Sequence, residues 1–150
     1  YMLGVSHLDI DSLEVTFAMD FDYAGNHDEV IAEALFSSTP FSCLLDLPTT
    51  KPIGFSPTVI IALSEDYCTQ ARISIESKTS IYEPRKPREG VNESITLSFT
   101  IRQYPSAGKR FDALKSFENQ CQKLEQLMAE KIIPHFAQPL IQTIAQKRSI

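Results

Sequence analysis

The sequence predicts an α+β domain in two layers: a four-stranded, mainly antiparallel sheet with helices on one face and a long C-terminal helix. Three observations predict it: segments that alternate apolar and polar residues, a helix-capping signal after the first of them, and apolar residues at helical spacing near the end. The predicted element order is β-α-α-β-β-β-α. With 150 residues, of which 43% are apolar, the chain is long enough for a sizeable core, so we expect residues 1–150 to form a single domain.

The first strand and first helix have the clearest local signals. Apolar side chains occupy every second position of Leu13–Tyr23, which is typical of a strand with one face on a core and the other in water. Gly25 ends the strand. Asn26 followed by Glu29 is a capping box, in which the Asn side chain accepts a backbone N–H of the first turn. Apolar residues at helical spacing then continue to about Phe36.

The middle of the chain predicts a short helix and another strand. Thr39-Pro40 is a second helix start, and the proline-rich connector 48–57 follows that helix. In Thr58–Ser64 the apolar run Val59–Leu63 is unbroken, which predicts a strand covered on both faces.

Two further alternating segments complete the sheet. One begins near Ala71 and is expected to run on towards Tyr82, and the other covers Ile95–Arg102. Between them, residues 83–92 contain two prolines, a glycine and three basic side chains. This composition predicts an exposed, flexible basic loop.

The C-terminal region predicts the longest helix. Apolar residues recur at steps of three and four over 111–133, and the period continues beyond Pro134 to about Lys147. Because an interior proline removes a backbone hydrogen bond, we expect a kink near Pro134. The apolar stripe is wide enough either to be core or to leave a surface for a ligand or a partner subunit. The candidate residues for that surface are Leu127, Met128, Ile132, Phe136 and Leu140.

The predicted element order resembles an abbreviated helix-grip fold. In that fold a curved antiparallel sheet wraps a long C-terminal helix and encloses an apolar cavity. The resemblance covers four strands and depends on element order alone. It implies that a small apolar ligand could lie between the sheet and the C-terminal helix.

Charge is distributed unevenly along the chain. The net charge is −5, but residues 1–50 contain nine acidic side chains and no Lys or Arg, whereas the remainder has 14 basic and ten acidic side chains. One interpretation is that the two parts pack together and partly neutralise each other. The other is an acidic face that binds a cation or a basic partner. Both interpretations disfavour nucleic acid as a partner, because a protein that binds nucleic acid needs a basic stripe to contact the phosphates.

The segment Gly25-Asn26-His27-Asp28 resembles the GNHD block of calcineurin-like metallophosphoesterases. The resemblance implies a metal ligand at Asn26 and a catalytic histidine at His27, with Asp20 and Asp22 nearby on the preceding strand. The other metal-binding motifs of that family, Asp-x-His, Gly-Asp-x-x-Asp and Gly-His-x-His, do not occur in the sequence. Two hypotheses follow for these residues: a cation or polar site, or plain capping of a helix start. The cation or polar site would comprise Asp20, Asp22, Asn26, His27 and Asp28.

The spacing of the cysteines and the hydropathy of the chain indicate which cofactors and which cellular compartment to expect. Cys43, Cys68 and Cys121 form no zinc-binding pattern, and glycine-rich nucleotide-binding loops do not occur, so no metal or other cofactor is expected. Three sparse cysteines and the lack of a signal-peptide pattern favour the cytoplasm. No apolar run approaches the roughly 18 residues needed to span a bilayer, so no membrane association is expected.

These patterns together predict a non-catalytic binding or assembly module. We expect a homo-oligomer or a protein partner, or a small apolar ligand held between the sheet and the C-terminal helix. The alternative is a metal-dependent, phosphoesterase-like hydrolase that uses Gly25–Asp28. A third hypothesis is that the chain is a subunit or domain of a larger assembly, as Tyr1 before Met2 and the uneven charge suggest.

Overall fold

The computed structural model describes residues 11–77, 93–106 and 111–149, and it confirms the α+β architecture. A four-stranded antiparallel sheet carries helices, and a helical region of 36 residues lies at the C-terminal end. The elements are β1 Leu13–Tyr23, α1 His27–Leu35, α2 Ser42–Leu45, β2 Thr58–Ala62, β3 Thr69–Glu76, β4 Glu93–Gln103, α3 Ala113–Leu127, a π-helical segment Met128–Ala137, and α4 Gln138–Arg148. The predicted basic loop 83–92 lies outside the described residues, as does the predicted extension of the third strand beyond 77.

The strands lie in the order β1-β4-β3-β2, and every neighbouring pair is antiparallel. β1 pairs with β4 over eleven residues, from Leu13 opposite Gln103 to Tyr23 opposite Glu93. Facing residues of an antiparallel pair share one face of the sheet. Since the three registers all pair odd with odd and even with even, one face of the sheet carries the odd-numbered residues of all four strands.

The odd-numbered face forms the core with the helices. Ile95, Leu97 and Ile101 of the central strand β4 are fully buried, because strands flank β4 on both sides and the C-terminal helix contacts this face. Helix α1 adds Val30 and Ile31, which are also fully buried. The even-numbered face is mostly polar and carries no helix in the described part of the chain.

The predicted interruption at Pro134 takes the form of a ten-residue π-helical segment rather than a gap in the helix. Proline lacks the N–H that an α-helix would use at this position, and its ring crowds the preceding turn. A wider turn with bonds five residues apart accommodates both effects. The helical region therefore continues into α4, whose first turn contains the second proline, Pro139.

One prediction for the middle of the chain was wrong. All five residues of β2 are exposed, although their unbroken apolar run predicted burial on both faces. β2 is an edge strand, and its contacts are mainly with β3. The helices lie against β1 and β4 and leave the odd-numbered side of β2 uncovered.

A buried amide sets the position of α3 on the sheet. Gln120 is 3% exposed, and its Nε2 donates to the carbonyl oxygens of Leu13 at 2.7 Å and Ile101 at 2.9 Å. Its Oε1 lies 3.1 Å from the Ser116 hydroxyl, which donates to it. These bonds connect α3 to β1 and β4 at one point along the helix.

Ion pairs connect the end of α4 to α1. Lys147 Nζ lies 3.0 Å from Glu29 and 2.9 Å from Glu33. Partial burial opposes the charged form of this lysine, but the hydrogen bonds and charges of Glu33 and Glu29 outweigh that effect and raise its pKa. Since a raised pKa favours the protonated form in the folded state, the contribution of this lysine is complete below its ordinary pKa of about 10.4 while both glutamates are ionised, and it is lost as the pH rises through the raised pKa.

Replacing Gln120 tests the helix attachment. We expect Gln120→Leu to lower the free energy of unfolding by about 1–3 kcal/mol, because the buried Ile101 carbonyl and the partly buried Leu13 carbonyl lose a donor. Urea unfolding followed by circular dichroism measures the change. The matched control is Gln122→Leu, at an exposed position of the same helix, which is expected to change stability by less than about 0.5 kcal/mol. Equal effects of the two substitutions would contradict the role of Gln120.

Candidate functional site

The Gly25–Asp28 segment connects β1 to α1, and Asn26 is the N-cap of α1. Its side-chain oxygen accepts the Glu29 N–H at 3.2 Å, and its side-chain amide donates to the Pro52 carbonyl at 2.9 Å. The predicted capping interaction is therefore present. The same side chain also holds the connector 48–57 against the start of the helix.

His27 and Asp28 are fully buried at the start of α1. The His27 Nε2 lies 2.6 Å from the Tyr23 carbonyl oxygen. The Asp28 carboxylate accepts the Phe55 N–H at 2.7 Å and the Ser77 hydroxyl at 3.3 Å. This one carboxylate therefore connects the first helix to the connector before β2 and to the residue that follows β3.

Asp20 and Asp22 lie on the even-numbered face, away from the core. Asp20 accepts the Thr96 hydroxyl at 2.7 Å, and Asp22 accepts the Ser94 hydroxyl at 2.7 Å. The structure therefore separates these two carboxylates from the buried side chains of His27 and Asp28. In the described ranges no three His, Cys, Asp or Glu side chains are placed to hold a metal ion.

The candidate partner surface on the C-terminal helix lies against the sheet. Met128 and Ile132 are each 5% exposed, and Leu140 is fully buried. Leu127 and Phe136 are half-buried and pack against the same core. All five side chains therefore contribute to the interior of this chain.

A polar groove of about 310 Å³ crosses the even-numbered face of the sheet. All four strands contribute to it, and its charged side chains are Glu14, Arg72, Glu76 and Arg102. Arg102 forms an ion pair with Glu14 and also donates to the Tyr104 hydroxyl at 2.9 Å. Two positive and two negative side chains give the groove no net charge, so it offers hydrogen bonds without selecting the charge of a ligand.

Exposed apolar residues concentrate in a different region, the segment from Phe41, the N-cap of α2, to Ile61 in β2. Seven of the thirteen large apolar side chains exposed in the described residues belong to this segment. We call these seven side chains the association surface: Phe41, Leu44, Leu47, Ile53, Val59, Ile60 and Ile61. The surrounding residues 36–63 include only two charged side chains, Asp46 and Lys51. Depletion of charge around exposed apolar groups is typical of the centre of a protein–protein interface.

The sequence interpretation missed this surface. It assigned Val59–Leu63 to the interior because an unbroken apolar run is typical of a buried strand. The low charge of residues 36–63 was the available signal, since 28 residues with two charges are unusual in a chain where 22% of residues are charged.

On the side of β2 that faces away from β3, backbone hydrogen-bonding groups are available as well as side chains. Leu63 N–H donates to the Thr69 carbonyl, and Ile75 N–H donates to the Pro57 carbonyl. By the alternation of antiparallel pairing, the odd-numbered residues of this strand bond to β3. The N–H and C=O groups of Thr58, Ile60 and Ala62 therefore point away from the sheet.

The turn between β2 and β3 depends on Asp66. Its carboxylate accepts the Ser64 hydroxyl at 2.6 Å, the Cys68 N–H at 3.0 Å and the Ser106 hydroxyl at 3.1 Å. These hydrogen bonds, that of Ser64 foremost, hold the pKa of Asp66 well below its ordinary value. The ionised carboxylate thus sets the geometry of the hairpin that carries β2.

No protein-family model, curated protein or solved structure matches this chain. In the part of the chain that the structure describes, no helix is both long enough and apolar enough to cross a membrane.

Replacing Asp28 distinguishes a structural carboxylate from an accessible one. We expect Asp28→Ala to lower the free energy of unfolding by about 1–3 kcal/mol, because the Phe55 N–H and the Ser77 hydroxyl lose their acceptor. Urea unfolding provides the measurement. As a control, Asp22→Ala removes an exposed carboxylate with one hydroxyl partner and should change stability by about 0.5 kcal/mol or less. A smaller effect at Asp28 than at Asp22 would contradict this assignment.

The lowered pKa of Asp66 predicts an acid-sensitive hairpin. Because the folded-state pKa lies below the unfolded value of about 3.9, the carboxylate stabilises the fold above that pH, and the contribution decreases as the pH falls further. We expect wild type to melt at a higher temperature than Asp66→Asn at pH 6, with the difference shrinking between about pH 4 and pH 2. A difference that stays constant over this range would show that the ionised form is not responsible.

Proposed function

We propose that this chain is a non-catalytic assembly module that self-associates through the association surface of residues 41–61. The observation that carries the proposal is the concentration of exposed apolar side chains there, in a segment almost free of charge. Such a patch is unfavourable in water and becomes favourable when a complementary surface covers it.

The free energies involved are sufficient for a reversible complex. Burying an apolar side chain fully gains about 1.5–3 kcal/mol, so covering seven half-exposed side chains gains about 5–10 kcal/mol. Association costs at least about 4 kcal/mol in lost translational and rotational freedom. The gain therefore exceeds this minimum cost. The outward backbone groups of β2, which pair with no other strand within residues 11–77, 93–106 and 111–149, supply a further, directional contribution.

Two of the other hypotheses, the hydrolase and the small apolar ligand, have less support. A hydrolase built on Gly25–Asp28 would need His27 to reach a substrate, but this side chain is fully buried beside the Tyr23 carbonyl. A small apolar ligand between sheet and C-terminal helix would need space among side chains such as Met128 and Leu140, which pack into the core. By contrast, the association surface is already exposed.

We also propose a cytoplasmic location. Cys43, Cys68 and Cys121 are all free thiols, and Cys43 is exposed. Unpaired and accessible cysteines are typical of proteins in a reducing compartment.

Sedimentation velocity between about 1 and 100 μM tests self-association, a range chosen because weak interfaces dissociate at micromolar concentrations. We expect a reversible increase in mass with concentration. Ile61→Lys, which places a charge in the association surface, should raise the dissociation constant at least about tenfold, the effect of losing about 1.4 kcal/mol.

The matched control is Leu114→Lys, since Leu114 is an exposed apolar residue on α3, outside the association surface. It should leave the dissociation constant unchanged, and circular dichroism should show that both variants stay folded. A wild-type chain that is monomeric throughout the concentration range would refute the proposed function.

A further inference from the structure

We infer that the occupant of the β2 edge is β2 of a second copy, paired antiparallel about a two-fold axis at Ile60, so that two four-stranded sheets form one eight-stranded sheet. The inference rests on the proposed self-association and specifies the geometry of that part of the association surface that belongs to β2. It follows from three features of β2: its outward backbone groups, which have no partner strand among the described residues, its side chains, and its contrast with the opposite edge of the sheet.

The backbone restricts the pairing register. Only even-numbered residues of β2 direct their N–H and C=O groups outward, so hydrogen-bonded pairs across the axis must join even residues. With Ile60 on the axis, Ile60 pairs with its copy, and Thr58 pairs with Ala62 in both directions. Each of these three pairs exchanges two hydrogen bonds. This register therefore forms six hydrogen bonds and uses every outward N–H and C=O group of both strands. Moving the axis by one residue leaves one outward-facing residue of each strand unpaired within β2.

The side chains that this register brings opposite each other are compatible with close packing. On the helix side, Val59 of each copy lies opposite Ile61 of the other, so four aliphatic side chains lie together. In the single chain Val59 is 53% exposed and Ile61 is 52% exposed. On the other side, Ile60, itself 61% exposed, lies opposite its own copy. No charged residue or proline occurs within β2.

The nearest charges do not oppose this pairing. Arg72 lies opposite Ile60 on β3, so the two copies of Arg72 would be separated by three strand spacings, or about 14 Å. That distance exceeds the screening length of about 8 Å at physiological salt.

A second copy fits this edge better than an unrelated strand does. Edge strands are normally protected by charges, prolines or bulges, and β2 has no such protection, while its own sequence is self-complementary. The other edge, β1, carries Glu14, Asp20 and Asp22, which would repel their copies in a symmetric pair. Symmetric pairing through β2 closes the assembly at a dimer, whereas β1-to-β2 pairing would extend it without limit.

Disulfide cross-linking tests the register. In a chain with Cys43, Cys68 and Cys121 replaced by Ser, Ile60→Cys would place two Cα atoms about 5.5 Å apart across the axis, within the range for a disulfide. We expect mild oxidation to give a covalent dimer at the concentrations where sedimentation shows association. Thr58→Cys is the matched control, because its two copies lie about 14 Å apart in this register and should not cross-link. A mixture of Thr58→Cys chains with Ala62→Cys chains should cross-link.

A proline substitution tests the backbone hydrogen bonds separately. Ile60→Pro removes an N–H that points away from β3, so the hairpin keeps its internal bonds while the dimer loses a central pair. We expect the dissociation constant to rise at least about tenfold, whereas Ile60→Val should change it by less than about threefold.

The outcomes separate this inference from the proposed function. If the chain associates but the Ile60→Cys variant does not cross-link, or if Thr58→Cys alone cross-links equally well, the register is overturned and self-association stays in place. Masses that grow beyond a dimer would indicate open-ended pairing and would also overturn it. A monomeric wild-type chain would refute both the inference and the proposed function.

Discussion

The antiparallel pairing of β1 with β4 is the constraint on which the rest of the structure depends. Its eleven-residue register assigns odd-numbered residues to the helix side, and the ladders to β3 and β2 preserve that assignment. A slip of one residue would turn Phe99 and Ile101 away from the helices and bring Thr100 and Arg102 into the core. The core, the polar groove and the orientation of both sheet edges therefore follow from one register.

The two edges of the sheet differ in physical character. β1 is long and acidic on its outward face, and side chains from the C-terminal helical region bond to its Leu13 and Asp22 carbonyl groups. β2 is short, uncharged and exposed on both faces. Because an edge strand of this kind readily binds another strand, the difference between the edges favours β2 as the site of the proposed association.

Local signals predicted most of the fold. The alternation in Leu13–Tyr23 and the cap at Asn26 each depend on a few neighbouring residues, and the structure contains both. What could not be predicted depends on partners distant in sequence. An apolar run such as Val59–Ile61 has the same pattern in a central strand and at an exposed edge, and only the strand order distinguishes the two cases. Likewise, the sequence around Asp28 is typical of a solvated residue in a first helical turn, whereas its partner Phe55 lies 27 residues away.

The strand order also has a consequence for how the chain folds during synthesis. β1 leaves the ribosome before the other three strands of the sheet, yet its neighbour β4 begins 80 residues after β1 starts, at Glu93. Until then the nascent β1 has both of its sides unpaired, and helix α1 has little sheet against which to pack. Long-range strand pairing is slow because a large loop must close before contacts compensate for it. The hairpin of β2 and β3 can form early and act as the template to which β4, and finally β1, are added.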